Sequence, residues 1–275
     1  MPELPEVETV RRGLDIHLVG HQIIAVTQLH ARALNPRSIA SLDALIGARV
    51  LSTERRGKFL WCVINRPFVL VAHLGMSGQF LIDAADRRHT RALLNLRNGR
   101  KKSELHFNDQ RTFGWLSIEE TINGIPTSAQ AIARDPFDVD YDLERVIAEI
   151  KRRKVTIKTA ILNQNIVSGI GNIYADESLW LAGVHPTRRS DSMRPTDIRR
   201  VLESAKTVMS AALKVGGTSF DELYINVNGE SGYFDISLNA YGQEDKPCPR
   251  CGRPIKRIKF ANRSSHFCPK CQVAR

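Results

Sequence analysis

The sequence predicts an α+β protein of two domains, an N-terminal β-sandwich with flanking helices and a C-terminal helical domain that ends in a four-cysteine β-hairpin. Three observations carry this. One amphipathic helical pattern at the N-terminus gives way to six short, β-branched segments; helical periodicity returns after a proline-containing stretch; and two Cys-x-x-Cys pairs stand near the C-terminus. At 275 residues, with 42% hydrophobic and 25% charged residues, the chain has an ordinary globular composition and enough length for one large or two medium cores.

The chain opens Met1-Pro2-Glu3-Leu4-Pro5-Glu6. Val7, Val10, Leu14 and Leu18 then recur at three and four, so residues 5–18 read as a helix stopped at Gly20. Proline suits a first helical turn, which accounts for Pro2 and Pro5 without any chemistry. A second reading is chemical. The small Pro2 side chain allows removal of Met1, leaving a secondary amine beside Glu3. The α-amino reference pKa is roughly 7.7–8, so part of such an amine is unprotonated near neutral pH. Its attack on a sugar carbon gives an iminium with no proton to lose, a fixed cation and an electron sink. On these residues alone both readings stand.

Residues 22–30, 49–53, 59–65, 68–74, 91–96 and 104–108 read as short strands between glycine, Asn-Gly or charged turns, and Asn98-Gly99 is a hairpin signal. So many strands at short spacing indicate a sandwich, with the first helix packed against it. Cys62, alone in an apolar strand pattern, is expected as a buried core thiol. The stretch around Pro126 and Pro136 lacks periodicity and is the expected linker. Helical patterns follow at 141–153, 157–162, 172–182 and 196–215, the last opened by Arg194-Pro195-Thr196 and stopped at Gly216-Gly217. Residues 216–242, rich in Gly, Asn and Ser and carrying Tyr224, Tyr233 and Phe234, read as a long functional or mobile loop. The expected boundaries are therefore 1–124 for the sandwich, 125–140 for the linker, 141–239 for the helices and 240–275 for the cysteine module.

Cys248-Pro-Arg-Cys251 and Cys268-Pro-Lys-Cys271 are separated by sixteen residues. Each pair aims two thiolates at one point, and four thiolates complete a tetrahedron with no open position, as in structural zinc sites. Two disulfides would be the competing use of these cysteines. Between the pairs Arg253, Lys256, Arg257, Lys259 and Arg263 mix with Ile255, Ile258 and Phe260, which suggests a metal-dependent β-hairpin with a basic face. Further upstream, Gly169-Ile-Gly171-Asn172 lies between two helical stretches. This reads either as a plain interhelical turn or as a close backbone approach to a phosphate at a helix N-terminus. Lys151, Arg152, Arg153, Lys154 and Lys158 just before it favour phosphate.

Forty Lys+Arg against 29 Asp+Glu give a net charge of +11 and a pI near 9.7. That excess implies a polyanionic partner, for which DNA, RNA and acidic membranes all qualify. No apolar run reaches the roughly 18–20 residues of a membrane span. The acidic Glu3, Glu6 and Glu8 do not fit a signal peptide, so a reducing compartment is expected.

Together these residues resemble the formamidopyrimidine-DNA glycosylase family, bacterial repair enzymes for oxidised guanine. The resemblance spans essentially the whole length. It rests on Met1-Pro-Glu-Leu-Pro-Glu-Val-Glu-Thr9, Gly57-Lys58, His73-Leu-Gly-Met-Ser-Gly78, the Gly169–Tyr174 turn, and the four-cysteine finger with Asn262-Arg263-Ser264. The related endonuclease VIII-like branch shares the architecture, but Leu4 stands where that branch is expected to carry glycine. The resemblance implies a helix-two-turn-helix within the helical domain and a zinc-finger β-hairpin holding one structural Zn2+ through Cys248, Cys251, Cys268 and Cys271. It implies base flipping, glycosylase activity and AP lyase activity by β,δ-elimination, with Pro2 as nucleophile at C1′. Glu3 would protonate the ribose ring oxygen, Lys58 would serve β-elimination, and Arg263 the second elimination. His89, Arg111 and Lys154 match DNA-contacting positions, with Lys158, Asn172 and Tyr241 at phosphates.

Met76, Arg111 and Phe113 match the residues that fill the hole left by the extruded base. A flipped base leaves a void and an orphan partner, which a wedge, an adaptable thioether and a hydrogen-bonding arginine can occupy. The expected partner is double-stranded DNA containing oxidised purines, with no membrane, for a monomer that is cytoplasmic and nucleoid-associated. Two departures bear on specificity. The family commonly reads Asp-Pro-Arg-Arg-Phe-Gly where this chain reads Asp109-Gln-Arg-Thr-Phe-Gly114. The 216–234 loop, where the family cages the flipped base, carries a 226–232 stretch without assignable contacts. Two competing readings, a non-catalytic zinc-dependent DNA binder and a zinc-ribbon RNA binder, leave the Pro2–Glu3–Lys58 combination unexplained.

Overall fold

The computed structural model describes residues 2–86, 88–216 and 238–274. Residues 217–237 of the sequence-predicted loop at 216–242, including the 226–232 stretch, lie outside the described residues. Two compact units divide between Ala131 and Ile132; the second runs to Lys214 and takes up the chain again for its C-terminal part.

In the first unit, helix α1 (Leu4–Leu18) begins at a capping box in which Glu3 is the N-cap. Glu3 and Glu6 each accept the other's backbone N–H, the Glu3 amide donating to Glu6 Oε2 at 2.8 Å. Pro5 falls in the first turn, where no amide donor is needed. Leu4, Val7, Val10, Leu14 and Leu18 form the buried face that the periodicity predicts.

Eight strands follow: β1 (Gln22–Gln28), β2 (Val50–Arg56), β3 (Phe59–Ile64), β4 (Val69–His73), β5 (Gly78–Ile82), β6 (Thr90–Asn98), β7 (Lys101–Asp109) and β8 (Trp115–Glu119). They form two four-stranded antiparallel sheets, ordered β1-β6-β7-β5 and β2-β3-β4-β8. Alternate residues of both sheets, such as Leu60, Cys62 and Ile64 of β3 and Ala92, Leu94 and Leu96 of β6, meet α1 in one core. Burial of each such leucine contributes about 1.5–3 kcal/mol. This is the predicted sandwich with its helix. Cys62 lies in that core at 3% exposure, and burial pushes its thiol up to about 12. Strands β5 and β8 are additions to the six strands expected. A minimal hairpin, β9 (Thr121–Ile122) with β10 (Ile125–Pro126), ends the series.

In the second unit, α2 (Leu143–Lys151) is capped by Asp142, which accepts the Arg145 N–H at 2.9 Å, and α3 (Ile157–Leu162) by Thr156. Helix α4 (Asn172–Ala182) is buried on nearly every side and stops at Gly183, in the left-handed region at φ 67°. Helix α5 (Pro195–Lys214) opens on its proline. Strands β11 (Lys256–Phe260) and β12 (Arg263–Phe267) pair antiparallel around a two-residue turn at Ala261-Asn262, so Arg263 stands at the hairpin tip.

Candidate functional site

Pro2 and Glu3 lie buried at the start of α1, and Glu3 is only 1% exposed. The capping box fixes the Glu3 backbone. One helical turn further on, Glu8 accepts from Arg11 Nε at 3.0 Å, Arg12 Nε at 2.8 Å and Arg55 Nε at 3.1 Å. Burial alone would raise the Glu8 carboxyl. The hydrogen bonds from Arg11 and Arg12 and the charges of Arg11 and Arg55 outweigh it and hold the group at about 2. Arg55 also donates from Nη1 to the Gly57 carbonyl at 3.0 Å. Arg56 pairs with Phe59, so Gly57 and Lys58 are the two central residues of the β2–β3 turn, with Gly57 at φ 56°. A chain of charge-assisted bonds thus runs from the first turns of α1 to the turn that presents Lys58.

Two loops of the same unit bring Met76, Arg111 and Phe113 together. Met76 and Phe113 are 38% and 53% exposed, unusual for large apolar side chains, and the Arg111 guanidinium carbon lies 5.1 Å from the Phe113 ring centre. Asp109 ties the loops. Its fully buried carboxylate accepts the Ser77 hydroxyl at 2.5 Å, the Gly114 N–H at 2.6 Å and the Arg111 N–H at 3.1 Å. A Cβ on Gly75 would stand 2.5 Å from the Phe113 carbonyl carbon, so the loops touch backbone to backbone and only glycine fits there. His73 stacks on Trp115 and accepts the Gly75 N–H on Nδ1 at 3.2 Å. Burial, with the nearby Lys58 charge, lowers His73 to about 4, so the ring stays neutral and keeps that acceptor. Thr112, one of the departures, has φ 55°, a strained value for a β-branched residue. Arg91 Nε bridges its hydroxyl at 3.1 Å and the Asp109 carbonyl at 2.8 Å. His89 is half-buried beside this loop, its carbonyl accepting the Asp109 N–H at 2.9 Å.

In the second unit the turn between α3 and α4 is tied by Gln164. Its amide donates to the Leu162 and Ile170 carbonyls at 3.0 and 2.8 Å and accepts the Gly169 N–H at 3.0 Å. Gly171 is the N-cap of α4, so Asn172 is the first helical residue and not the cap. Its Nδ2 donates to the Ser264 carbonyl at 3.1 Å. Glu177, also on α4, accepts the backbone N–H groups of Asn239, Ala240 and Tyr241, which seats Tyr241 against His266. Lys154 and Arg263 are exposed, and Arg257, Lys259, Asn262 and Arg263 line a concavity beside the hairpin tip. Lys158 corrects the expectation of a phosphate contact: its side chain is fully buried, with Nζ 2.7 Å from Asp176 Oδ1 and 3.0 Å from the Ser264 carbonyl.

The sulfurs of Cys248, Cys251, Cys268 and Cys271 all lie within 4.8 Å of one another. A tetrahedron of Zn–S bonds of about 2.3 Å needs sulfurs about 3.8 Å apart, so the donor set fits zinc without rearrangement of the backbone. Helix α4 anchors this module: the Trp180 indole donates to Cys248 Sγ at 3.4 Å, and the Arg250 guanidinium carbon lies 4.3 Å from the Trp180 ring centre.

Three family models cover the chain in order: the formamidopyrimidine-DNA glycosylase N-terminal domain over residues 1–116, the H2TH domain of that glycosylase over 132–223, and a zinc finger found in FPG and IleRS over 245–273. The chain belongs to the formamidopyrimidine-DNA glycosylase family. It is 53% identical to the formamidopyrimidine-DNA glycosylase of Rhodococcus erythropolis, over 99% of this chain and 97% of that protein. With the enzyme of Corynebacterium urealyticum it shares 52%, over 99% of each. Among solved structures, the MutM (Fpg) protein of Thermus thermophilus matches with a TM-score of 0.86 at 34% identity and full coverage of both chains. Lactococcus lactis Fpg in complex with abasic-site DNA matches at 0.84 and 32%, covering 98% of this chain and 99% of that one.

The protein is therefore a DNA glycosylase of base-excision repair, with a sandwich domain, a helix-two-turn-helix region and a zinc finger that holds one structural ion on its four cysteines. Among the described residues no helix of the glycosylase is long and apolar enough to cross a membrane. Glu8, Arg55, Asp109 and Asp176 organise its sites, yet the sequence reading assigned none of them a role. Helix spacing could have paired Glu8 with Arg11 and Arg12, but the contacts that organise the sites, Glu8–Arg55, Ser77–Asp109 and Lys158–Asp176, join residues distant in the chain, and no spacing rule reveals those.

Proposed function

We propose that this glycosylase removes oxidised purines, such as 8-oxoguanine and formamidopyrimidines, from duplex DNA and then cleaves the strand through an N-terminal proline imine. The observation that carries the proposal is the held N-terminus: a capping box at Glu3 and Glu6, and the Glu8–Arg55–Gly57 chain leading to the Lys58 turn. The reading is also supported by likeness to Lactococcus lactis Fpg, whose solved complexes contain abasic-site and Fapy-dG DNA.

With Met1 removed, the Pro2 nitrogen attacks C1′ as the bond from C1′ to the base breaks; the base leaves with the electron pair and takes up the proton that the Pro2 nitrogen sheds. Glu3 gives a proton to the ribose ring oxygen, which opens the sugar and leaves the iminium. The iminium acidifies the C2′ proton; its loss expels the 3′ phosphate, with Lys58 as proton carrier. A second elimination, served by Arg263, expels the 5′ phosphate, and hydrolysis frees Pro2. The product is a one-nucleotide gap with phosphate at both ends. Zinc holds the finger's shape and takes no part in these steps. Met76, Arg111 and Phe113 fill the vacated stack, while His89, Arg111, Lys154, Asn172 and Tyr241 hold the backbone.

In this reading residues 1–124 are the catalytic domain, 125–140 the linker, 141–239 the DNA-binding helices and 240–275 the finger. The enzyme works as a monomer on nucleoid DNA in the cytoplasm. Borohydride tests the reading. Protein with a free Pro2 should be trapped covalently on an 8-oxoguanine duplex, and protein that keeps Met1 should not. Binding without trapping by protein of verified N-terminus would overturn it.

A further inference from the structure

Asp176 of α4 takes part in none of the steps above, yet its fully buried carboxylate collects partners from two distant segments. Oδ1 accepts from Lys158 Nζ at 2.7 Å and from the Ser265 hydroxyl at 2.9 Å. Oδ2 accepts the His266 N–H at 2.8 Å and lies 3.2 Å from His266 Nδ1. Ser265 and His266 are on β12, two and three residues after Arg263. The carbonyl of Ser264, which links Arg263 to Ser265, accepts from both Lys158 Nζ at 3.0 Å and Asn172 Nδ2 at 3.1 Å. The chain just after Arg263 is thus bonded on successive residues to α3 and α4.

We infer that Asp176 is a positioning residue: with Lys158 as its counter-ion, it fixes the finger strand that presents Arg263. A two-stranded hairpin is marginal by itself, and most of β11 is exposed, so the tip has little packing to hold it. The four cysteines lie at the other end of the hairpin, where a zinc ion held by them would fix their turns. A buried ion pair is weak evidence for stability, because an apolar pair of similar volume often serves as well. Besides holding the Lys158 ammonium, the carboxylate supplies direction: Oδ1 accepts the Ser265 hydroxyl and Oδ2 the His266 N–H, both from β12 in this register. The inference rests on Arg263 as the group that serves the second elimination.

The test uses the full-length, zinc-loaded protein on a duplex with one 8-oxoguanine. Asp176→Asn removes an acceptor for the His266 N–H while keeping volume. Amide hydrogen exchange at Ser264–Phe267 should accelerate at least tenfold, with the cysteine turns still protected and zinc content unchanged. The ratio of δ- to β-elimination product should fall about tenfold while the yield of borohydride-trapped complex is kept. Should Asp176→Asn fail to fold, the double variant Asp176→Leu/Lys158→Met removes both charges, and the same exchange and product ratio are read. General destabilisation lowers both products and leaves their ratio unmoved. Unchanged exchange, or an unchanged ratio in a folded, zinc-bound variant, overturns the inference. Arg263→Ala with the δ product intact refutes the role given to Arg263, and the exchange at Ser264–Phe267 then decides the pinning by itself.

Discussion

Replacing Glu8 with glutamine should destabilise the protein by an amount that depends on pH, because the carboxylate's value lies in its charge. Its pKa is held down to about 2 in the folded chain, against an ordinary value of 4.5. At about 1.4 kcal/mol per pKa unit, that difference sets a ceiling of about 3 kcal/mol at neutral pH. The Glu8 and Arg55 side chains are only 12% and 11% exposed, but Arg12 is 58% exposed, so solvent screens part of the interaction. The expected loss is about 2 kcal/mol. The folded pKa is the lower one, so the unfolded chain takes up the proton first as pH falls. The stabilisation is complete above about pH 5 and drains away toward about pH 2; by about pH 3.5 roughly 60% of it remains. Glutamine does not titrate, so wild type and variant should converge on acidification. Urea unfolding of both proteins near neutral pH and near pH 3.5 measures this. Arg55 would also lose the partner that aims it at the Gly57 carbonyl, so the rate of borohydride trapping should fall about tenfold, or about 1.4 kcal/mol. A destabilisation equal at both pH values, or below about 0.5 kcal/mol, would show that Glu8 contributes packing and not charge.

Two further outcomes follow from the same geometry. Chelation should release the finger from α4, read as a change in Trp180 fluorescence because its indole faces Cys248, and should abolish DNA binding while the sandwich stays folded. Intact binding after verified metal loss would separate the finger from DNA recognition. Gly75→Ala should cost about 2–4 kcal/mol, since the new methyl meets the Phe113 carbonyl carbon at 2.5 Å and the residue has φ 60°. Binding to a duplex with an abasic site should weaken further than stability alone explains, and an unchanged affinity would mean that the two loops move independently.

What could be read from the sequence, and what could not, divides by range. Helix α4 spans 172–182 as its pattern predicts, and α3 spans 157–162, because Thr156 and the glycines before Asn172 and after Ala182 mark their ends locally. The cysteine spacing specifies a tetrahedral site for the same reason: each pair sits on one tight turn. Strand β5 begins on Gly78 and β8 directly follows Gly114, and both escaped notice because these glycines read as loop. The groups that organise the sites are of another kind. Glu8 meets Arg55 across 47 positions, Ser77 meets Asp109 across 32, and Lys158 meets Asp176 across 18. No periodicity encodes such pairs.

Lys158 shows the consequence most clearly. In a run of basic residues it counts toward a DNA-binding face, as its exposed neighbour Lys154 does. Four positions separate them: Lys154 lies exposed in the connection before α3, while the buried face of α3 takes Lys158 inward to Asp176. The net charge of +11 is therefore a fair guide to the class of partner and a poor guide to which lysine touches it. The charge that Lys158 takes out of the surface is spent on orienting the strand after Arg263. A sequence reading that counts it as a phosphate contact misses the burial of its side chain against Asp176.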